Sequence, residues 1–448
     1  MSTDASRSAT ISCDVLVVGG GAAGLSAAAA AADRGASVVL VERDHELGGI
    51  LNQCIHNGFG LHRFGEELTG PEFAARDVAR VEAAPQVEVL LDTTVLSIGE
   101  GRAGRHDACV VGAACGLAHV DCGAVVLACG CRERTRGQIN IAGGRPAGVL
   151  TAGTAQRLCN CDGAMAGRRV VILGSGDIGL IMARRMTWEG AHVICVCELA
   201  AEPGGLRRNI VQCHEDNGNP LHLSTTVTQV FGGTRLTAVE LADVDPATMR
   251  PIPGTERRVE CETLLLSVGL IPENSVAKTA GVRIDRATSG PAVDQSLATS
   301  VPGIFVAGNE LHVHDLADYV SEEGEQAGAN AADHALRLAA GVAPSAEKGV
   351  EFEVCRGDGV GSVTPQRLDP TCGEAVVRLR TRERMADAQI AIRCADVLVR
   401  RVRRRIVVPS EMQTIRLTSD DLAKVDGPVT VSCGPAPAKA APKGGASE

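Results

Sequence analysis

Apolar residues fall in short runs punctuated by glycine. Residues 14–18, DVLVV, read as a short strand, and after GGGAAG the alanine-rich run at 25–32 reads as a helix, alanine being the best helix former. SVVLVE at 37–42 is β-branched and apolar again, a second strand. Strand, glycine turn, helix and strand within about 30 residues make a βαβ unit, which requires a parallel sheet and a right-handed crossover.

The same order returns at 169–198 as RVVIL, GSGDIG, a helical LIMARRMTWEG and HVICVCE. Two copies predict two nucleotide folds. Two further strand-like runs, TLLLSV at 263–268 and GIFVA at 303–307, precede a helical pattern from Asp315 to about Ala340, which returns the chain to its first domain. Beyond Gly341, alternating runs such as AVVRLR at 375–380 and AQIAIR at 388–393 predict a small β-rich domain. GPAPAKAAPKGGASE has few large side chains and reads as a disordered tail.

The expected fold is therefore α/β, with two Rossmann-like nucleotide-binding domains, the second inserted in the first; the resemblance given below implies that they are FAD/NAD(P)-binding domains. Residues 1–160 and 271–342 are assigned to the first of these domains, FAD-binding on the resemblance given below, and 161–270 to the second, NAD(P)-binding on the same ground. Residues 343–433 form the β-rich C-terminal domain and 434–448 the tail.

Composition narrows the function. A chain of 448 residues with 45% hydrophobic and 22% charged residues has the makings of several packed cores. A formal charge of −10 opposes attraction to phosphate backbones, and 2% aromatic residues offers few platforms for stacking bases, so nucleic acid is not an expected partner. MSTDASRSATIS lacks the layout of a signal peptide, and no apolar run approaches the roughly 20 residues of a membrane helix; the expected location is cytoplasmic. The 17 cysteines include three C-x-C pairs, Cys129/Cys131, Cys159/Cys161 and Cys195/Cys197, but no C-x2-C pair to suggest zinc. On a strand, C-x-C spacing only places both thiols on one face.

The glycine loops carry the chemistry. Gly19 allows the tight turn, Gly21 lets backbone approach a pyrophosphate, and Gly24 permits close helix-to-strand packing. The helix N-terminus then faces the phosphates, and Glu42 at the end of the next strand can accept from a ribose. Gly174, Gly176, Gly179 and Glu198 repeat the pattern. A carboxylate at Glu198 suits the free 2′-hydroxyl of NADH and repels the 2′-phosphate of NADPH, although Arg207 and Arg208 lie close enough downstream to weaken that preference.

Two such loops followed by TSVPGIFVAGN resemble the two-dinucleotide-binding-domain flavoproteins, the superfamily of thioredoxin reductase and the pyridine nucleotide-disulfide oxidoreductases. The resemblance covers residues 13 to about 340. It implies FAD at the first loop and a nicotinamide nucleotide at the second. VVLACGCRER at 125–134 is similar to the family's strand ending in Ala-Thr-Gly, with Cys129 in place of threonine, and Gly308-Asn309 stands where the family has Gly-Asp. The FAD set implied is Gly19, Gly21, Ala22, Ala23, Gly24, Glu42, Arg43, Gly49, Ala128, Gly130, Gly308 and Asn309. The NAD set is Gly174, Gly176, Asp177, Ile178, Gly179, Glu198 and Gly269.

GGILNQCIHNGFGLHRFGEELTGPEFAAR and GNELHVHDLADYVSEE resemble one branch, the FAD-dependent oxidoreductases that accompany anaerobic glycerol-3-phosphate dehydrogenase-like flavoproteins and a small cysteine-rich protein. RPAGVLTAGTAQ is similar to segments of opine oxidase and sarcosine oxidase alpha subunits. These likenesses imply membership of an electron-transfer assembly, with a flavoprotein dehydrogenase and a small cysteine-rich protein as partners.

A redox disulfide needs two cysteines stacked on the flavin. The first candidate position holds only Cys54, and CNCDG at 159–163 is one residue short of the C-x2-C-D-G of thioredoxin reductase. Cys54 and His56 are candidate flavin-site residues, or else part of a polar loop; a histidine there can tune a thiol or pass protons. His312 and His314 precede a helix start and are candidates for the flavin N1/O2 edge, where the helix dipole favours negative charge. No third ligand accompanies them, so no metal is expected. Arg400, Arg401, Arg403, Arg404 and Arg405 read either as a solvated face or as a docking site for an acidic partner. The leading expectation is electron transfer between NADH, FAD and a partner flavoprotein or acceptor. The alternatives are a thiol/disulfide reductase and a non-catalytic flavin-binding component of a dehydrogenase complex.

Overall fold

The computed structural model of the protein describes residues 10–342 and 349–437. Its first sheet contains β1 (Thr10–Val18), β2 (Val38–Val41), β3 (Val87–Leu90), β4 (Thr93–Glu100), β5 (His106–Gly112) and β6 (Gly116–Leu127), in the order β3-β2-β1-β6-β5-β4. β3, β2, β1 and β6 run parallel, with Val15 opposite Val38 and Ala124. The helix α1 (Ala22–Asp33) makes the first crossover, and all but three of its residues are buried. Three valines and a leucine, all four buried, explain why no alternation shows in β2: both faces of a parallel sheet are covered.

The second unit has β7 (Val149–Thr151), β8 (Arg169–Leu173), α2 (Asp177–Trp188), β9 (His192–Cys197), β10 (Leu221–His222) and β11 (Thr263–Leu266), with sheet order β7-β11-β8-β9-β10, all parallel. β7 pairs with β11 through Val149 and Leu264, so the second unit begins before the expected boundary at 161. A second five-stranded sheet around Thr225–Gly232 and Leu236–Asp245 also recruits Ala142–Gly143. The short Val-Leu-Thr segment of β7 only becomes a strand because β11 offers it a partner.

The chain then returns to the first sheet through β12 (Ile304–Val306), parallel to β6, and α3 (Ala317–Ala339). α3 starts two residues later than the pattern from Asp315 predicts. It lies against α1 at very short range: a Cβ on Gly324 would meet the Ala23 carbonyl oxygen at 2.3 Å, and one on Gly328 the Ala27 oxygen at 2.1 Å. Small residues on both helices permit that approach, which locks the returning segment over the first glycine loop.

The C-terminal unit is β-rich and has its own apolar core, including Val377, Ile390 and Val431. A five-stranded and a three-stranded sheet form it. Val429–Pro435 pairs with Met385–Cys394 up to Pro435, so the strand takes two residues from the expected tail at 434–448; the residues after 437 lie outside the described ones. Val397–Val407 is an edge strand, and arginine on an edge discourages edge-to-edge pairing. Arg400, Arg403 and Arg404 are engaged by Asp421, Asp387 and Gln413. Among the described residues, no helix is long and apolar enough to cross a membrane.

Candidate functional site

The first glycine loop is closed on one side and open on the other. Gly19 has φ +103°, and a Cβ there would meet the Ala128 oxygen at 2.5 Å; a Cβ on Gly24 would come within 1.7 Å of the Gly19 oxygen. At Gly21 nothing lies within 4 Å of the corresponding position. Gly21 is also the N-cap of α1, and no side chain caps it, so the first amides of the helix face that open space. By contrast, the helix Gly70–Glu82 carries a full capping box from Thr69 and Glu72. An uncapped helix N-terminus behind an open glycine fits a pyrophosphate.

Glu42 fixes the loop. Its Oε2 accepts from the Gly20 amide at 2.6 Å and its Oε1 from the Asp44 amide at 2.8 Å, which leaves lone pairs for a ribose. Arg43 beside it is exposed. Gly49 brings the following chain back, its Cβ position being 3.1 Å from Gly21 Cα. Ala22 and Ala23 open α1, Ala128 donates its amide to Val18 O at 2.9 Å, and Gly130 turns at φ +72°.

The second loop repeats the plan. Glu198 Oε2 accepts from the Ser175 amide at 2.9 Å, and Oε1 from the Ala200 amide at 3.0 Å. Gly174 has φ +101° against Ser267 O, a Cβ on Gly179 would meet Gly174 O at 2.3 Å, and Gly176 is the N-cap of α2 with no capping side chain. Ile178 follows in the first turn of that helix. Asp177 has a different partner set: its Oδ1 accepts from the Leu206 amide and from Asn209 Nδ2 at 2.8 and 2.7 Å, pinning the segment after β9 beside the loop. Arg207 pairs with Glu215 at 3.0 Å and Arg208 lies 3.8 Å from Glu67, so acids already face both. Gly269, at φ +102°, accepts the Arg134 amide at the crossing between the units.

Gly308 and Asn309 follow β12. A Cβ on Gly308, at φ +69°, would press on Ala23 Cβ at 2.9 Å, which places this turn on the first loop. Asn309 Oδ1 accepts the His314 amide at 2.9 Å. Glu310, fully buried, accepts the Cys129 amide through Oε2 at 2.6 Å, while its Oε1 has no partner among the described residues. Burial pushes the Glu310 carboxyl up to about 8.

The two histidines are buried around one carboxylate. Glu323 Oε1 lies 3.1 Å from His312 Nε2 and 3.2 Å from Arg378 Nη1, and Oε2 takes His314 Nε2 at 2.9 Å and the Gly308 amide at 2.8 Å. His312 Nδ1 faces Thr364 Oγ1 at 3.2 Å. Burial holds His312 down to about 4, so it is neutral. Burial works against an ionised Glu323, but His314 and His312 beside it keep its carboxyl well below the usual range. A third potential ligand therefore does accompany His312 and His314, contrary to the sequence reading. All four positions around its carboxylate are nonetheless filled by donors, one of them a guanidinium, and the cluster reads as a hydrogen-bonded strut joining the Gly308 turn to the C-terminal unit.

Cys54 and His56 diverge. Burial pushes the Cys54 thiol up to about 12, and its Sγ sits 3.8 Å from Gln156 Oε1. His56 Nδ1 lies 3.0 Å from Asn57 O and its ring packs on Phe59 at 5.2 Å. Cys159 lies in the last turn of the helix Ala152–Asn160, while Cys161 is its exposed C-cap. Cys195 and Cys197, on β9, do share a face, with sulfurs 3.7 Å apart.

The pyridine nucleotide-disulphide oxidoreductase family matches residues 13–334. The chain belongs to that family. Members of that family are FAD/NAD(P)-dependent oxidoreductases. The chain is 27% identical over 342 residues to one of the subunits of opine oxidase from Agrobacterium tumefaciens, covering 73% of this chain and 64% of that one. With the glutamate synthase [NADPH] small chain of Escherichia coli it shares 27% over 340 residues, 70% of this chain and 66% of the relative. The chain thus spans about two thirds or less of these relatives. A crystal structure of T. acidophilum thioredoxin reductase has the same fold, with a TM-score of 0.59 at 23% identity, covering 72% of this chain and 99% of that one.

Sequence reasoning misses Glu310, Glu323 and Arg378. Glu323 sits in SEEGE, a run that looks like a solvated helix face, and only its adjacency to the glycine that touches α1 hints at burial. Arg378 lies mid-strand in an alternating pattern where its neighbours Val377 and Leu379 are also buried.

Proposed function

We propose that the chain moves electrons between a nicotinamide dinucleotide, NADH in preference to NADPH, and FAD, and exchanges them with a partner flavoprotein or another acceptor. The observation that carries this reading is the pair of uncapped, glycine-lined helix N-termini, each with a glutamate fastened to the loop amide. Bound FAD supplies a two-electron carrier that exchanges hydride with nicotinamide. The chain's part is to hold both molecules: amides of α1 and α2 face the pyrophosphates, and Glu42 and Glu198 receive ribose hydroxyls. Acids facing Arg207 and Arg208 leave Glu198 as the charge that meets the adenosine ribose, which favours NADH.

Membership of a multi-subunit assembly is supported by the likeness to an opine oxidase chain that is itself named as a subunit; a flavoprotein dehydrogenase and a small cysteine-rich protein are the partners proposed, on the resemblance carried by GGILNQCIHNGFGLHRFGEELTGPEFAAR and GNELHVHDLADYVSEE. Direct transfer from flavin to partner is supported by Cys54, whose half-buried, weakly acidic thiol is poorly suited to disulfide exchange. Anaerobic mixing of the yellow protein with NADH or NADPH tests the proposal. NADH is expected to bleach the flavin faster. A protein that takes up no FAD, or one whose flavin neither nucleotide reduces, sinks it.

A further inference from the structure

Between the flavin unit and the C-terminal unit lies a cavity of about 160 Å³, lined by His312, Ser362, Arg378, Arg380, Thr288 and Met412 among others. Arg380 is fully committed: its guanidinium binds Pro409 O, Ser410 O, Val313 O and Asp315, so it braces the wall. Arg378 is not. Its side chain is only 7% exposed, and among the described residues its one close partner is Glu323. A guanidinium carries five N–H donors, and those of Arg378 that Glu323 does not take are not closed off in the core but belong to the cavity lining, where an anion can fill them.

Glu323 cannot take more, since His312, His314 and the Gly308 amide already occupy it. The Ser362 hydroxyl on the same cavity has no hydrogen bond among the described residues, and Thr288 donates to Asp285. Glu323 is matched by Arg378 and Asp315 by Arg380, while the third acid nearby, Asp285, has no guanidinium and is held by the Ala287 and Thr288 amides and the Thr288 hydroxyl, which leaves the spare Arg378 donors facing the lining. The volume is well below the roughly 300 Å³ at which sites for drug-sized ligands begin. We propose that this cavity binds a small anion, a carboxylate or phosphate group, held by the Arg378 guanidinium together with Ser362.

Calorimetric titration of the purified FAD-containing protein with potassium acetate and, separately, potassium phosphate tests the site, with potassium chloride at matched ionic strength as the blank. Saturable binding of at least one anion is expected at one site per chain. Ser362→Leu fills the cavity without touching the Arg378–Glu323 pair and should weaken binding at least ~10-fold, about 1.4 kcal/mol. Arg378→Lys keeps the charge beside Glu323 but loses the planar fork, and should weaken it as well. Acetate alone identifies a carboxylate site, phosphate alone a phosphoryl site. Absence of saturable binding, or equal binding by wild type and Ser362→Leu, overturns the proposal.

Discussion

Glu198 Oε2 accepts both the amide and the hydroxyl of Ser175, at 2.9 and 2.6 Å. The carboxylate proposed to select the nucleotide is thus also the fastener of the loop that would bind it. Removing its charge and removing its hydrogen bonds are separable experiments. Glu198→Gln keeps an acceptor for Ser175 and is expected to narrow the NADH-over-NADPH ratio of kcat/KM by about tenfold, roughly 1.4 kcal/mol. Glu198→Arg should narrow it further while loosening the loop. Stopped-flow reduction with both nucleotides reads the ratio, and an unchanged ratio in both variants removes Glu198 from selectivity.

The two ends of the first loop respond differently to a methyl group. Gly24→Ala drives a Cβ to 1.7 Å from the Gly19 oxygen, a backbone collision, and should cost several kcal/mol of stability. Gly21→Ala meets no atom within 4 Å and should fold with a change of about 0.5 kcal/mol or less. Its methyl group nevertheless occupies the space assigned to the pyrophosphate, so flavin retention should fall at least ~10-fold. Urea midpoints and absorbance per chain measure the two effects. Full flavin retention in Gly21→Ala contradicts the cradle.

Features whose partners are local are legible in the sequence. Gly19 and Glu42 are separated by one helix and one strand, so the βαβ period alone brings them together, and the same holds for Gly174 and Glu198. β7 escapes recognition because two apolar residues and a threonine before a helix acquire meaning only beside β11, more than a hundred residues on. The His312–Glu323–Arg378 cluster is hidden for the same reason: Arg378 arrives from another unit, and a glutamate among glutamates carries no mark of burial. His312 and His314 stand out in the sequence, but the partner that explains them lies on α3.

Glu310 gives the chain an unusual pH response. Its folded pKa, raised by burial to about 8, stands above the ordinary 4.5. As pH rises through that window the unfolded chain ionises while the folded chain keeps its proton, so this group's contribution to stability falls steadily and levels off above about 8. Glu310→Gln preserves the acceptor for the Cys129 amide and should abolish that slope, gaining a few kcal/mol relative to wild type at the alkaline end. Urea unfolding of both proteins across the window, taken as a difference so that His312 and other groups cancel, checks the sign. A difference that shrinks with rising pH contradicts a protonated Glu310.

The thiols decide between direct transfer and disulfide exchange. A flavin alone takes up two electrons, whereas a flavin in contact with a disulfide takes up four. Cys54 is half-buried, with desolvation pushing its thiol up to about 12, and Cys161 is exposed at a helix end, so neither has the low-pKa environment of an exchanging pair. Dithionite titration under argon should therefore consume two electrons per flavin in the wild type, in Cys54→Ser, and in the variant with Cys159 and Cys161 both changed to serine. Thiol labelling offers an independent check, with Cys161 and Cys372 reacting well before Cys54 because they are the exposed cysteines among the described residues. Uptake of four electrons by the wild type and two by the double variant makes CNCDG a working dithiol, and the acceptor is then a substrate disulfide rather than a partner flavoprotein.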